Sequence, residues 1–124
     1  MSLFTIEVSS LLQLPVGSIS EFHFEQEIST DTWEDLICEG LLSMTIKLVR
    51  EDYGINCILQ NLDATITIPS EGIENKTLAL ENISREFHLK KKNEDTDDIE
   101  YIDHHDATIN LSTIIEQELL IAGL

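Results

Sequence analysis

Positive charge is scarce in this sequence. Seven Lys and Arg residues stand against 24 Asp and Glu residues, so the formal net charge is −17. Binding to nucleic acid depends on clustered Lys and Arg that release counterions, and a surface this negative repels phosphates. We therefore expect no direct nucleic-acid binding. A basic protein is a suitable partner, because complementary potential raises the encounter rate and excludes wrong partners.

Glycine, proline and cysteine are also few. Five Gly and two Pro, with 42% hydrophobic residues, are typical of a globular chain and not of a disordered one. A chain of 124 residues can form one domain that buries roughly two-thirds of its unfolded surface, so we predict a single domain over residues 1–124. Cys38 and Cys57 have no Cys or His at metal-ligand spacing, which favours buried reduced thiols.

Long apolar runs are absent as well. No run approaches the roughly 18 residues that span a bilayer. The opening residues MSLFTIEVSS lack the positively charged segment with which a signal peptide begins. We therefore expect a cytoplasmic protein with no membrane partner.

What the sequence does contain is a period of two in its apolar residues. Phe22, Phe24 and Ile28 alternate with polar residues, which predicts a strand with one buried face. A longer alternation follows, and its inward positions are Leu42, Met44, Ile46 and Leu48. After the turn sequence EDYG an extended pattern resumes as far as Pro69. These two segments are predicted to form an antiparallel hairpin.

Two of the predicted strands change the parity of their apolar positions. After the EDYG turn, apolar residues occupy odd positions up to Leu59 and even positions from Leu62. A period-two strand can change its buried face only at a bulge, a bend or a passage between layers, so we predict an irregularity near Gln60 and Asn61. The strand predicted over residues 77–89 shows the same change near positions 81 and 82. Its core candidates are Leu78, Leu80, Ile83, Phe87 and Leu89.

The two ends of the chain carry helical patterns. The final residues, NLSTIIEQELLIAGL, predict a helix capped by Asn110 or Ser112. Its apolar stripe is Leu111, Ile114, Ile115, Leu119 and Ala122. Near the N-terminus, a short strand is followed by one helical turn that begins at Ser9 or Ser10 and is stopped by Pro15.

These elements predict a mainly β fold of the α+β class. We expect an antiparallel curved sheet or partly closed barrel, with a C-terminal helix and a short N-terminal helical turn.

An acidic segment precedes the C-terminal helix. Residues 93–100, NEDTDDIE, hold five acidic residues and one apolar residue, too little apolar area to offset the entropy of ordering. We predict a flexible acidic loop over about residues 93–106. Its end, Asp103 to Asp106, is Asp-His-His-Asp. Because a catalytic metal needs three ligands that converge from a folded framework, we favour a solvated loop, or weak cation binding, over a metal site. No cofactor is predicted.

The order of elements resembles the YceD family, known as large ribosomal RNA subunit accumulation proteins. The resemblance lies in IEVSSLLQLPVGS, in CEGLLSMTIKLVREDYGINCILQNLDATITIP and in the closing DATINLSTIIEQELLIAGL. The ending is similar to the family pattern at Ile109, Asn110, Leu111, Glu116, Glu118, Leu119, Leu120 and Ile121. Many members have a C-x-R-C-L turn where this chain has Ser70 to Glu74. The resemblance is thus to a divergent member, and it implies no zinc or redox site.

The resemblance implies a non-enzymatic factor that supports accumulation of large-subunit ribosomal RNA, in ribosome assembly. With the charge of the chain, it leads us to expect a basic protein of the large subunit as partner. The candidate contact residues are Glu94, Asp95, Asp97, Asp98, Asp103 and Asp106. Two alternatives stay open: a general acidic interaction module or small chaperone unrelated to ribosomes, and a metal-dependent hydrolase. The sequence does not specify an oligomeric state.

Overall fold

The computed structural model describes residues 4–30, 33, 36–89, 100–102 and 107–124. In chain order its elements are β1 (Thr5–Glu7), α1 (Ser9–Leu12), β2 (Ile19–Thr30), β3 (Ile37–Glu51), β4 (Gly54–Ile68), a 3-10 turn (Pro69–Glu71), β5 (Ile73–Leu89), β6 (Glu100–Ile102), β7 (Thr108–Asn110) and α2 (Ser112–Gly123). The predicted N-terminal strand and helical turn are therefore present, and so is the C-terminal helix.

The strands form two sheets. One has five strands in the order β2-β3-β4-β5-β6, and the other pairs β1 with β7. A two-residue loop joins the neighbouring strands β3 and β4, so they form the predicted antiparallel hairpin. The β1–β7 pair is antiparallel, whereas β6 runs parallel to β5.

The predicted fold class is confirmed: the chain is mainly β, with antiparallel sheets, a C-terminal helix and a short N-terminal helical turn. Within the described ranges, β2 and β6 are the two ends of the strand order and do not pair with each other.

The chain groups into two compact units. Unit 1 comprises Met1–Glu21, Lys47–Ile58 and Ser84–Ser112, and unit 2 comprises Phe22–Ile46, Leu59–Ile83 and Thr113–Leu124. Strands β3, β4 and β5 each pass from one unit into the other along the chain. The single domain over residues 1–124 stays a prediction.

Unit 1 is built around the pairing of β1 with β7. Ile6 lies opposite Ile109 in this pair, and the pairing is extended by bonds from Val8 N to Ala107 O at 2.8 Å and from Leu111 N to Phe4 O at 3.0 Å. The buried apolar residues of this unit are Phe4, Val8, Leu11, Leu48, Ile55, Cys57, Phe87, Ile102, Ile109 and Leu111.

Unit 2 has an apolar core that includes α2. The helix comes close to β4 at Gly123, where an added Cβ would lie 2.5 Å from Ile66 Cδ1 and 3.0 Å from Ile68 Cδ1. The buried apolar residues of this unit are Ile28, Trp33, Leu36, Cys38, Leu42, Met44, Ile46, Leu59, Leu62, Ala64, Ile66, Ile68, Leu78, Ile83, Ile114, Ile115 and Leu119.

Both predicted changes of parity are confirmed. In β4 the buried positions change from odd to even between Leu59 and Leu62, and the exposed Asn61 between them has a φ of 53°. In β5 the buried positions change from even to odd, with two consecutive exposed residues at positions 81 and 82. An extra residue in a strand lets it bury opposite faces before and after that point.

Several residues predicted to be buried are exposed or half-buried. Phe22 in β2 is 38% exposed, because β2 lies at the end of the strand order. Leu80 and Leu89 in β5 are half-buried, and so is Ala122 in α2, where Gly123 occupies the buried position. The apolar period of a strand or a helix shows which face turns toward the core, but it does not show how far neighbouring elements cover that face.

The predicted loop over residues 93–106 is interrupted by a strand. Glu100–Ile102 forms β6, which pairs with Phe87–Leu89, and Ile102 is buried. Burial of a large apolar side chain and a strand pairing offset the ordering entropy that the acidic composition suggested. The rest of the predicted loop lies outside the described residues.

Candidate protein-binding surface

The predicted contact residues lie outside the part of the chain that the structure describes. They are Glu94, Asp95, Asp97, Asp98, Asp103 and Asp106. Their role in binding a partner stays a prediction, as does the choice between a solvated loop and a metal site at Asp103 to Asp106.

Unit 1 holds the chain on both sides of this acidic segment. Leu89 donates its backbone N–H to Tyr53 O at 2.9 Å, and Ile102 lies in register with Leu89. Ala107, with a φ of 48°, accepts a bond from Val8 N at 2.8 Å. The described residues that flank the segment are therefore fixed by backbone hydrogen bonds within unit 1.

Negative charge is concentrated in unit 2. Its residue ranges contain twelve acidic residues and one basic residue, Lys76, which is a formal net charge of −11. The ranges of unit 1 contain twelve acidic and six basic residues, a formal net charge of −6. Charge of one sign attracts cationic surfaces over about a Debye length, ~8 Å at physiological ionic strength. Unit 2 is therefore the stronger attractor of a basic partner.

The acidic side chains described in unit 2 lie at its surface. Seven are exposed and two are half-buried: Glu25, Glu27, Glu39, Asp63, Glu71, Glu74 and Glu81 in the first group, Glu116 and Glu118 in the second. Across the described part of the chain, no charged residue is buried. A cationic partner can therefore approach these carboxylates without the desolvation of a buried charge.

Lys76, the basic residue of unit 2, serves the fold. Its Nζ donates to the carbonyl oxygen of Gly123 at 3.0 Å, at the C-terminal end of α2. The last carbonyls of a helix have no partner within the helix, and a cation is favoured at this negative end of the helix dipole. At least one of the Lys76 donors is therefore committed to α2.

The sheet face of unit 2 that points away from the core is polar, and we call it the outer face. On it, His23 Nδ1 lies 3.4 Å from Thr45 Oγ1, which joins β2 to β3, and Thr65 Oγ1 lies 3.3 Å from Thr77 Oγ1, which joins β4 to β5. Glu25 belongs to the same face, because its Oε2 is 3.2 Å from His23 Nε2. Hydroxyl, imidazole and carboxylate groups thus cover this face.

Two histidines of the long strands, His23 in β2 and His88 in β5, differ in their contacts. The His23 side chain is 53% exposed and contacts the carboxylate of Glu25 at 3.2 Å. The His88 side chain is 31% exposed, contacts Glu86 at 3.2 Å, and stacks on Tyr53 with ring centroids 4.5 Å apart. His23 therefore faces outward, whereas the Tyr53 ring covers part of His88.

Tyr53 lies in an acidic environment within unit 1. Its partial burial, and then the negative charges of Glu86, Glu51 and Asp52, raise the pKa of its phenol above the usual value of 10.0. At neutral pH the phenol is therefore protonated and can donate a hydrogen bond.

Both cysteines are buried and free, as predicted. Burial raises the pKa of the Cys57 thiol to about 12. Burial, and then the charge of Glu39, raises the pKa of Cys38 to about 11. Because the thiolate is the nucleophile and the metal ligand, these protonated thiols serve as small apolar groups at neutral pH.

The described residues contain no group of three His, Cys, Asp or Glu side chains that could hold a metal ion. Among the described helices, none has the length and apolar character needed to cross a membrane.

The comparisons with known proteins give no relative. No family model, no curated protein and no solved structure matches the chain.

Sequence reasoning missed the position of β2 at the end of the strand order. The alternation of Phe22, Phe24 and Ile28 with polar residues predicts a strand, but the pattern of a strand is the same whether one or two strands flank it. Within the described ranges, β2 pairs with β3 on one side only. Phe22 is 38% exposed at this end of the described strand order.

Proposed function

We propose that this chain is a non-enzymatic factor that supports accumulation of large-subunit ribosomal RNA, and that it binds a basic ribosomal protein through its acidic surface. The observation that carries the proposal is the charge of unit 2, whose residue ranges contain twelve acidic residues against Lys76 alone. The described carboxylates of this unit are exposed or half-buried and can meet a cationic surface directly.

The ribosomal part of the proposal rests on the resemblance to the YceD family. A ribosomal protein is strongly basic where it contacts RNA, so an acidic protein can cover that surface before RNA does. The acidic segment over residues 93–106 belongs to unit 1 and contains the six candidate contact residues. Its negative charge would attract the same basic partner.

The test is capture of partners from a lysate of the source organism by the tagged full-length chain. At low salt we expect basic proteins of the large ribosomal subunit, and we expect less of them at high salt because exposed charges are screened. If no ribosomal protein is recovered at either salt concentration, the proposal fails. Retention of ribosomal RNA after its proteins have been removed would also contradict it.

Ribosomal subunit profiles separate this function from that of a general acidic interaction module or small chaperone. Deletion of the gene should reduce the large subunit relative to the small one, and the intact gene should restore the ratio. An unchanged ratio in the deletion strain favours the general module.

A further inference from the structure

We infer that residues 14–19, which lead from α1 into β2 in unit 1, insert into an apolar cleft on the basic partner protein. We call these residues, LPVGSI, the apolar loop. The inference rests on the proposed function and names the partner surface that fits this part of the molecule. Leu14 is 50% exposed, Val16 60% and Ile19 56%. Large apolar side chains that are exposed close together mark an interaction site, whereas scattered ones do not.

Backbone hydrogen bonds fix the conformation of the apolar loop. Ser18 donates its N–H to Pro15 O at 3.1 Å, which closes a turn within the loop. Gly17 donates to Arg50 O at 2.7 Å, and Arg50 N–H donates to Ser18 O at 2.8 Å. The φ of Gly17 is 97°, a conformation that favours glycine. A loop that is already fixed before binding loses little conformational entropy when a partner covers it.

The charges beside the apolar loop are mostly negative. The guanidinium of Arg50 donates to the carbonyl oxygens of Leu12 at 3.3 Å and Gly54 at 3.0 Å, so this cation is committed to the main chain. Glu21 in β2 and Asp52 in the turn after β3 are both exposed. Along the chain, exposed carboxylates therefore follow both the apolar loop and the strand that holds it.

This combination selects one kind of partner. A protein interface commonly has an apolar centre and a polar rim. A cleft that covers Leu14, Val16 and Ile19 brings its rim toward Glu21 and Asp52, where Lys and Arg side chains give complementary charge. The matching surface is therefore an apolar cleft with a basic rim.

Other occupants fit the apolar loop less well. A second copy of the chain meets the repulsion of two net charges of −17, and six loop residues are far fewer than the roughly 20–30 that each side of a stable dimer contributes. An anionic membrane surface is repelled by the same charge. A basic protein is attracted, and the carboxylates beside the loop add charge pairs to the apolar contact.

The apolar loop gives the partner binding a component that charge cannot supply. A net charge of −17 attracts cationic proteins in general, and salt screens that attraction. Burial of apolar surface is not screened by salt and depends on the shape of the cleft. The exposed parts of the three side chains are enough to strengthen binding by about tenfold or more when they are buried.

The test uses the proteins extracted from purified large ribosomal subunits of the source organism, captured by the tagged full-length chain. The double variant Val16→Thr with Ile19→Thr removes exposed apolar groups without a change of charge. We expect it to weaken the apparent affinity for the captured basic protein by about tenfold, to the same extent at low and high salt. Titration of the extract at each salt concentration, with the captured protein identified by mass spectrometry, measures this loss.

A matched control removes exposed apolar groups from unit 2. Leu41 is 50% exposed and Ile121 70%, and the double variant Leu41→Thr with Ile121→Gln should weaken capture by less than about twofold. Urea denaturation should show that both double variants remain folded, because the changed side chains are exposed. Equal losses of affinity in the two double variants, or no loss in either, would overturn the inference.

Cross-linking tests the position of the contact. Val16→Cys, labelled with benzophenone maleimide, should cross-link to the captured ribosomal protein in several times higher yield than Leu41→Cys labelled in the same way. Cys38 and Cys57 are buried and protonated, so they do not compete for the label. Equal cross-linking yields from the two positions would overturn the inference.

The inference and the proposed function fail in different ways. If the Val16→Thr, Ile19→Thr chain captures a basic ribosomal protein as tightly as the parent chain does, the apolar loop is not a contact and the function survives. If the parent chain captures no ribosomal protein at either salt concentration, the proposed function fails and the inference fails with it.

Discussion

In unit 1, the guanidinium of Arg50 donates to the backbone carbonyls of Leu12, Glu51 and Gly54, with distances of 3.3 Å to Leu12 and 3.0 Å to Gly54. In unit 2, Lys76 donates to the carbonyl of Gly123. Unit 1 has six basic and twelve acidic residues, and unit 2 has one basic and twelve acidic residues. In unit 1 the guanidinium of Arg50 thus holds loop carbonyls together, while the ranges of unit 2 carry a formal net charge of −11 with a single basic residue.

The glycines show a parallel difference. A Cβ at Gly54 in unit 1 would lie 2.2 Å from the backbone oxygen of Phe87, whereas a Cβ at Gly123 in unit 2 would meet the side-chain ends of Ile66 and Ile68. Backbone atoms cannot move without disturbing the hydrogen bonds around them, but the end of an isoleucine side chain can. Unit 1 therefore depends on close approach of the main chain, and unit 2 on side-chain packing.

The largest expected effect comes from substitution of Gly54. Gly54→Ala should lower the free energy of unfolding by more than about 3 kcal/mol, because the backbone has a φ of 150° and the new Cβ overlaps Phe87 O. Gly123→Ala in unit 2 should change it by less than about 1 kcal/mol, since the gain in helix propensity offsets displacement of the isoleucine ends. Urea denaturation measures both.

Gly40→Ala controls for backbone conformation in the same experiment. Gly40 has a φ of 85° and no atom within 4 Å of an added Cβ, so only conformational strain remains, about 1–2 kcal/mol. If Gly54→Ala is no more destabilising than Gly40→Ala, the close approach of Gly54 to the Phe87 backbone does not contribute to the stability of unit 1.

The second effect tests the bonds from Arg50. Arg50→Met keeps much of the apolar stem and removes the guanidinium, and it should lower the free energy of unfolding by about 2 kcal/mol because several carbonyls lose a charged donor. Lys47→Met, at another half-buried position of β3, is the matched control and should cost less than about 0.5 kcal/mol. Equal losses in the two variants would assign the effect to charge and not to the bonds.

The third effect depends on pH and compares the two thiols. The folded-state pKa of Cys57 is raised to about 12 from 9.0, so the unfolded chain releases the thiol proton at a lower pH than the folded chain does. The stabilisation is complete below pH 9 and is lost as pH rises from 9 toward 12, by roughly 1.4 kcal/mol per pH unit. Urea denaturation at pH 8 and at pH 10 should show this loss.

Variants of the two cysteines show how much of this pH-dependent loss of stability each thiol causes. Cys57→Ala should remove about half of the loss between pH 8 and pH 10, because the Cys38 thiol contributes the other half over this range, although the variant is less stable at both pH values. Cys38, whose pKa is raised to about 11, loses its stabilisation over a narrower range, from pH 9 to 11. A parent chain whose free energy of unfolding stays constant from pH 8 to pH 10 would contradict the burial of both thiols.

The smallest effect compares the two histidines. His88→Ala in unit 1 should lower the free energy of unfolding by about 1 kcal/mol, because the ring stacks on Tyr53. His23→Ala in unit 2 should lower it by less than about 0.5 kcal/mol, because the side chain is mostly exposed and its contact with Glu25 is hydrated. A larger loss for His23→Ala than for His88→Ala would contradict this, and would show that the contacts of His23 on the outer face contribute more to stability than the stacking of His88 on Tyr53.

Sequence patterns gave reliable positions for the long elements. The alternation from Leu42 to Leu48, the two changes of parity and the C-terminal helix are all present in the structure, because side-chain burial must follow the geometry of the backbone. Of the two candidate caps, Asn110 accepts the backbone N–H of Ser112 at 2.9 Å through its side chain.

The short elements were harder to predict. β6 lies inside a segment whose composition suggested disorder, and its three residues are held by pairing with β5 and by burial of Ile102. Such a strand has no period of its own to detect. The same limit applies to the candidate site, since the exposure of Phe22 follows from the absence of a second described neighbour for β2.

The sequence by itself determined the net charge, the alternating faces of β2 to β5, the change of buried face near Asn61 and the helix at the C-terminus. These are properties of one chain segment and its own side chains. Only the tertiary structure decided that β1 pairs with β7, that β6 lies beside β5 and that β2 stands at one end of the strand order formed by the described residues. Strand pairing depends on which distant segments of the chain meet and share hydrogen bonds. The alternation of apolar residues within one strand does not identify the strand that pairs with it.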